Sequence, residues 1–267
     1  MFRRKNNLAL VMTVFDVDAL RISLPPLHRL ERFCKLVIYN DNPNQVIKRR
    51  NIRRMGWRGA LYIINSDKNT GEFESRFNAV KEMRNLKIAC DWLIFVDQDD
   101  VLLDACVPAV SDNIFAIVQN STVLNDNITD MFKITPNWAN GTECGKTGPN
   151  FEITGTIIRR TILDEFTDFM MDILPKLYRD LRHTRYRVPI AQLIWLALKE
   201  FMQVRHPEMM PIYMNRTNYV AIKMGRAAVK YGRRTPMGKA AQVAISETIK
   251  RFLKTVNASA KIVAQAA

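Results

Sequence analysis

Cysteine, histidine and glycine are scarce wherever a metal or phosphate motif would need them. The four cysteines, Cys34, Cys90, Cys106 and Cys144, stand far apart with no C-x-x-C pair. That spacing argues against a zinc site and against a disulfide framework. The three histidines, His28, His183 and His206, show no ligand spacing and are read as structural. No apolar run reaches the ~20 residues that a bilayer span needs; the longest, "PIAQLIWLAL", is about half that length. The basic start and apolar run of "MFRRKNNLALVMTVFDVDAL" are interrupted by Asp16 and Asp18 where a signal cleavage site would stand, so a cytoplasmic protein is expected. "GTECGKT" (141–147) has three residues between its glycines where a Walker loop has four.

What is abundant is apolar material and positive charge. The 267 residues are 48% hydrophobic, enough for one large domain or two small ones. Of the net charge of +14, residues 221–267 carry +9 and the first 220 carry +5. A tail this basic points to a polyanionic partner such as an anionic membrane surface or a phosphorylated substrate. "KAAQVAISETIKRFLKTV", within it, alternates basic and apolar positions as an amphipathic helix does. The basic run "KRRNIRRMGWR" (48–58) is read as one solvated helix face rather than a nucleic-acid patch.

Four β-rich runs lie in the first hundred residues: "LALVMTVF" (8–15), "CKLVIYN" (34–40), "ALYIIN" (60–65) and "DWLIFVD" (91–97). Their continuous apolarity predicts strands covered on both faces, hence a parallel sheet. Between them "ALRISLPPLHRLERF", "NQVIKRRNIRRMGW" and "GEFESRFNAVKEMRNLKIAC" have helical spacing, with Pro25 and Pro26 expected to break the first. The β-α-β order predicts a Rossmann-like α/β fold, a mostly parallel sheet flanked by helices. "FEITGTIIRRTILDEF" reads as a strand leading into a helix and "PIAQLIWLALKEFMQV" as a buried helix. The expected organisation is one domain over 1–220, with a nucleotide-binding half (1–110) and an acceptor half (111–220), followed by a helical extension over 221–267.

Ligands of open α/β sheets bind beyond the carboxyl ends of the strands. There "IFVDQDD" runs from buried residues straight into Asp97, Asp99 and Asp100. Three carboxylates at a strand end repel one another, and a cation is the natural compensation. Mg2+ or Mn2+ prefers such oxygen ligands and completes its shell with substrate phosphates and water. The alternative is that the acids cap a helix beginning in "DDVLLDACV" at Asp99 or Asp100.

"KLVIYNDNP", "NTGEFESRFNAV" and "CDWLIFVDQDDVLL" together resemble, in this order along the chain, three motifs of the family 2 nucleotide-sugar glycosyltransferases, inverting enzymes of the GT-A fold. The resemblance implies Thr13 and Phe15 beside the nucleoside and Asp41 on the base. It implies Arg76 near the nucleotide or the acids, Asp97 on the ribose or sugar, and Asp99 on a Mn2+ or Mg2+ ion bridging the diphosphate. The chain departs from the family where Phe77 separates Arg76 from Asn78, and where the first strand ends in "TVFDVD".

Inverting transfer needs a general base for the acceptor hydroxyl, yet "RVPI" stands before "AQLIWLALKEF" where the resemblance places an acid. Asp180 in "YRDLRH" is the first candidate base, with Glu152, Glu165 and Asp168 behind it. The implied activity is sugar transfer from a nucleoside-diphosphate sugar to a hydroxyl of a glycan or lipid-linked acceptor in cell-surface glycan or polysaccharide synthesis. The basic tail is then expected to lie on the cytoplasmic face of a membrane. The rival from another class is a non-catalytic, basic nucleic-acid-binding α/β protein. A nucleotidyltransferase is a further alternative, disfavoured because "TVFDVDAL" contains no glycine for a phosphate loop.

Overall fold

The computed structural model of the chain describes residues 7–105, 107–125, 148–149, 152–181, 190–223, 247 and 251, with backbone alone over parts of the later elements. The amphipathic helix expected over 239–256 lies outside the described residues, except that Glu247 and Arg251 are helical. Among the described residues no helix is long and apolar enough to cross a membrane.

The first half alternates strand and helix as its periodicity predicts. Strands β1 (Leu8–Val14), β2 (Cys34–Asn40), β3 (Ala60–Asn65) and β4 (Trp92–Asp97) are separated by helices α1 (Leu20–Leu27), α2 (Arg49–Arg54) and α3 (Gly71–Asn85). The four strands pair in parallel in the order β3-β2-β1-β4. Alternate side chains of β1 enter separate cores. Ala9 and Val11 face the core shared with α3, whereas Leu8, Leu10, Met12 and Val14 face the core shared with α1 and Trp57. Two-sided burial is the reason this strand reads as a continuous apolar run. Each such Leu or Val contributes about 1.5–3 kcal/mol by leaving water.

Pro25 and Pro26 do not break α1; they occupy its last turn, and the chain tightens into a 3-10 turn over His28–Leu30. The missing proline N–H groups fall where an α-helix is already giving way to the shorter hydrogen-bond pattern, so little is lost. Helix α2 is shorter than its sequence pattern suggests, starting only at Arg49 because the segment before it is extended at Lys48.

Beyond β4 come β5 (Val101–Leu102), β6 (Ile114–Asn125), β7 (Gly148–Pro149), β8 (Ile157–Arg159), α4 (Arg160–Leu181), α5 (Ile190–Arg205) and β9 (Met210–Lys223). The sheet continues β4-β8-β6-β9-β5, with β7 against β6. β8 is antiparallel to both β4 and β6, so the first half of the sheet is parallel and the second half mixed. Helices α4 and α5 cover the same face as α3, through Phe77, Phe166, Trp195 and Phe201. The domain boundary expected at 220 falls inside β9.

The helix that the alternative reading starts at Asp99 or Asp100 does not form. Val101 and Leu102 pair instead with Val220 and Tyr219 as β5, and both are buried. Asp99 and Asp100 therefore cap no helix, because the pairing edge offered by β9 overrides the local capping pattern.

Candidate functional site

Strand order reverses beside β1: its neighbours β2 and β4 lie on opposite sides and connect in opposite directions along the sheet. The carboxyl ends of β1 and β4 consequently diverge into a crevice, the usual ligand position in such sheets. A cavity of about 540 Å³ opens there, and Thr13, Phe15, Asp41, Asp97 and Asp99 all line it. Residues as far apart in the sequence as Thr13 and Asp99 thus meet at one sheet edge.

Thr13 stands in register with Asp97 across the β1–β4 ladder and with Tyr39 across β1–β2. Phe15 lies one residue past β1 with its ring half exposed at the cavity. Asp41 is buried, and both its carboxylate oxygens are engaged. Oδ1 accepts from the Thr70 backbone N–H and hydroxyl, both at 2.9 Å, and Oδ2 accepts from the Gly71 N–H at 2.8 Å. Asp41 thereby ties β2 to the start of α3 from a distance, satisfying N–H groups that a helix N-terminus leaves unpaired. Gly71, at φ +81°, is the residue that lets the chain enter α3 at this angle. Asn78 reaches back one turn further on, its Nδ2 donating to the Thr70 hydroxyl at 3.3 Å.

Arg76 is brought to the acids. It is 1% exposed, and its Nη2 donates to Asp97 Oδ1 at 2.5 Å and to Glu72 Oε1 at 3.0 Å. Burial acts to lower its pKa, but the Asp97 and Glu72 carboxylates outweigh that and raise it above the ordinary guanidinium value. Its Nε and Nη1 have no acceptor among the described residues.

Asp99 is left with a deficit of positive charge. Burial, then the negative charge of Asp97, and to a smaller extent Glu72 and Asp16, push its carboxyl up to about 6. Among the described residues no three acid, histidine or cysteine side chains converge tightly enough to hold an ion by themselves. A hard divalent ion bound through one or two carboxylates, with diphosphate oxygens and water completing its shell, needs no such trio. The oxygen donors of Asp99 and Asp97, and the unrelieved repulsion at Asp99, fit that kind of ion.

Two residues that the sequence reading passed over hold this turn in place. Asp100 is buried and accepts a 2.6 Å hydrogen bond from the Tyr219 hydroxyl, which also accepts from the Asp97 N–H at 3.3 Å. Burial, and next the Asp100 carboxylate, raise Tyr219 well above the usual phenol value, so it stays a donor. Gln98, between the two outer acids, turns the other way. Its Oε1 accepts from the Phe15 and Asp16 N–H groups at 2.8 and 2.9 Å. Neither residue carries a sequence signal, since Tyr219 is 122 residues from Asp97 along the chain.

The candidate bases separate. Glu152 lines the cavity with the Asp97–Asp99 turn. The chain at Glu152 is held by the Thr156 hydroxyl donating to its carbonyl at 2.8 Å, and by the Gly155 N–H donating to Phe95 O at 2.9 Å. Glu165 accepts from or pairs with His206 Nε2 at 2.7 Å. Asp168 forms a two-point ion pair with Arg84, whose hydrogen bond holds that carboxyl below its ordinary value. Neither Glu165 nor Asp168 lines the cavity. Asp180 is in the last turn of α4, and its side chain lies outside the described residues.

No protein-family model matches the chain, and no curated protein matches it. Solved structures do. GalNAc-T7 with UDP, GalNAc and Mn2+ aligns at TM-score 0.50 and 12% identity, over 90% of this chain and 48% of that one. The S. aureus TarS 1-349 structure with UDP aligns at TM-score 0.49 and 14% identity, over 81% of this chain and 60% of that one. The Pyrobaculum calidifontis mannosyltransferase PcManGT, with GDP-Man and Mn2+, aligns at 0.45 and 10%, over 96% of this chain and 75% of that one. The chain thus spans about half the length of GalNAc-T7 and three fifths of the TarS fragment. With the strand order and the placement of the acid turn, the likeness to GalNAc-T7 gives the chain a GT-A-like fold.

Proposed function

We propose that the chain is a metal-assisted glycosyltransferase that moves a sugar from a nucleoside-diphosphate sugar to an acceptor hydroxyl with inversion. The observation that carries it is the Asp97-Gln98-Asp99 turn at the switch point of the sheet, opening into one cavity with Thr13, Phe15, Asp41 and Glu152. GalNAc-T7, whose fold is shared, was solved with UDP, GalNAc and Mn2+, which supports a nucleotide donor and a divalent ion here. The resemblance to family 2 supports the finer assignment.

In this reading Phe15 and Thr13 flank the nucleoside, and Asp41 contacts the base while anchoring α3. Asp97, oriented by Arg76, accepts from a ribose or sugar hydroxyl. Asp99 would hold Mn2+ or Mg2+, which would supply charge stabilisation to a diphosphate leaving group. Glu152, which lines the cavity, takes the acceptor proton in this reading as that oxygen attacks the anomeric carbon. Asp180 is the second candidate. The acceptor is a glycan or lipid-linked hydroxyl, in cell-surface glycan or polysaccharide synthesis. The basic tail rests on the anionic cytoplasmic face of a membrane.

Calorimetry with UDP and GDP, with and without Mn2+, tests the donor site. Binding strengthened by Mn2+ in the native chain and insensitive to Mn2+ in Asp99→Asn supports the assignment. Salt-sensitive oligonucleotide binding with no response to nucleotide or metal would replace it with the nucleic-acid reading. Once a donor is found, Glu152→Gln should lower kcat by about 10²–10⁴ with donor affinity kept. The same loss in Asp180→Asn, with Glu152→Gln near normal, would move the base to Asp180.

A further inference from the structure

The middle residue of the acid turn is not a spacer. Parallel pairing of β1 with β4 ends at Thr13 and Asp97, and β1 itself ends at Val14. The next two backbone N–H groups, of Phe15 and Asp16, have no strand to pair with, and both donate to the single oxygen of the Gln98 side chain. Two N–H donors can be met only by an acceptor, so the orientation of the Gln98 amide is fixed by its partners. From the other side Asn42 Nδ2 donates to the Phe15 carbonyl at 2.9 Å. Asp16, so held, accepts from the Asp18 N–H at 3.0 Å and caps the short 3-10 turn that follows. Both polar groups of the Phe15 backbone are therefore occupied by side chains from other strand ends, while its ring stands exposed at the cavity.

We infer that Gln98 is a positioning residue that locks the aromatic nucleoside platform of Phe15 to the acid turn, so that the nucleoside and metal ends of the donor site form one rigid unit. This rests on the donor site proposed above. An exposed loop with free N–H groups would sample many conformations, and ordering it would weaken donor binding. The Gln98 bond pair removes that cost beforehand. Because the contact is to backbone, it would serve any nucleobase that stacks on Phe15.

Gln98→Met keeps the side-chain volume and deletes the acceptor; Gln98→Glu keeps the acceptor. Amide hydrogen exchange at Phe15 and Asp16 should speed up by about tenfold or more in Gln98→Met and return toward native in Gln98→Glu. Calorimetry with UDP and GDP in EDTA should show affinity about tenfold weaker in Gln98→Met. The factor by which Mn2+ strengthens binding should stay as in the native chain, because Asp99 is untouched. Unchanged exchange at both amides in Gln98→Met would overturn the lock. Faster exchange with unchanged nucleotide affinity would overturn its positioning role alone. A native chain that binds neither UDP nor GDP would overturn the donor site and this role with it.

Discussion

The residue Asp99 carries the most informative proton in the molecule. Its carboxyl is raised from 3.8 to about 6, chiefly by burial and then by Asp97. A raised folded-state value means that the folded chain binds this proton more tightly than the unfolded chain. The group's contribution to stability is thus fully present below about pH 4 and lost as pH rises through about 6. Metal reverses the preference, because a ligand carboxylate must be ionised. Mn2+ affinity is expected to fall about tenfold between pH 7 and pH 5, with proton release on binding rising toward one at pH 5, and to lose this dependence in Asp99→Asn. Isothermal titration at several pH values in buffers of different ionisation heat reads both quantities; a flat profile would mean that Asp99 is not the ligand. Asp97 and Asp99 were legible in the sequence because charge at the end of an apolar run is unusual on its own, whereas Arg76 was named only through the family resemblance. Gln98 was not, because glutamine at that position looks like any polar turn residue until its amide is seen to meet the end of β1.

Among the elements, β9 decides how the acid turn is presented. Its Tyr219 hydroxyl accepts from the Asp97 N–H and donates to Asp100, and Gly155 lies against the ring. At φ +74° a side chain is already strained, and a Cβ at position 155 would fall 2.5 Å from Tyr219 Cγ. Gly155→Ala is therefore expected to push the ring aside. Backbone strain and overpacking together should cost about 1–3 kcal/mol, read as a drop in Tm, with weaker Mn2+-dependent nucleotide binding as the acid turn shifts. A variant with native Tm and native metal response would show that Tyr219 does not support the turn. The strand-helix alternation of the first half and the β8-to-α4 passage were legible from hydrophobic period. The element after the acids was not. "DDVLL" has the local marks of a capped helix, yet pairing with the distant edge of β9 makes it a strand.

At the scale of the whole molecule, charge is divided between an acidic cavity and a basic tail. Glu72, Asp97, Asp99 and Glu152 line the cavity, whereas residues 224–267 carry nine basic residues against Glu247. Because β9 pairs with β6 as far as Lys223, a chain ending there keeps its sheet. Removal of 224–267 is expected to leave nucleotide binding intact and to abolish salt-sensitive sedimentation with anionic vesicles, to which each basic residue near the surface adds about 1 kcal/mol. Equal sedimentation of both forms would refute the membrane role of the tail. The sequence by itself determined the layered α/β plan, because burial on one or both faces writes a period into the chain that neighbours alone can read. It also determined the acid turn, since three carboxylates after an apolar strand demand compensation. Only the tertiary structure decided which residues hold that turn. The pairing of Gln98 with Phe15, Asp100 with Tyr219 and Asp41 with Gly71 joins positions 30 to 119 residues apart. Such contacts depend on strand order and register, which no local period encodes.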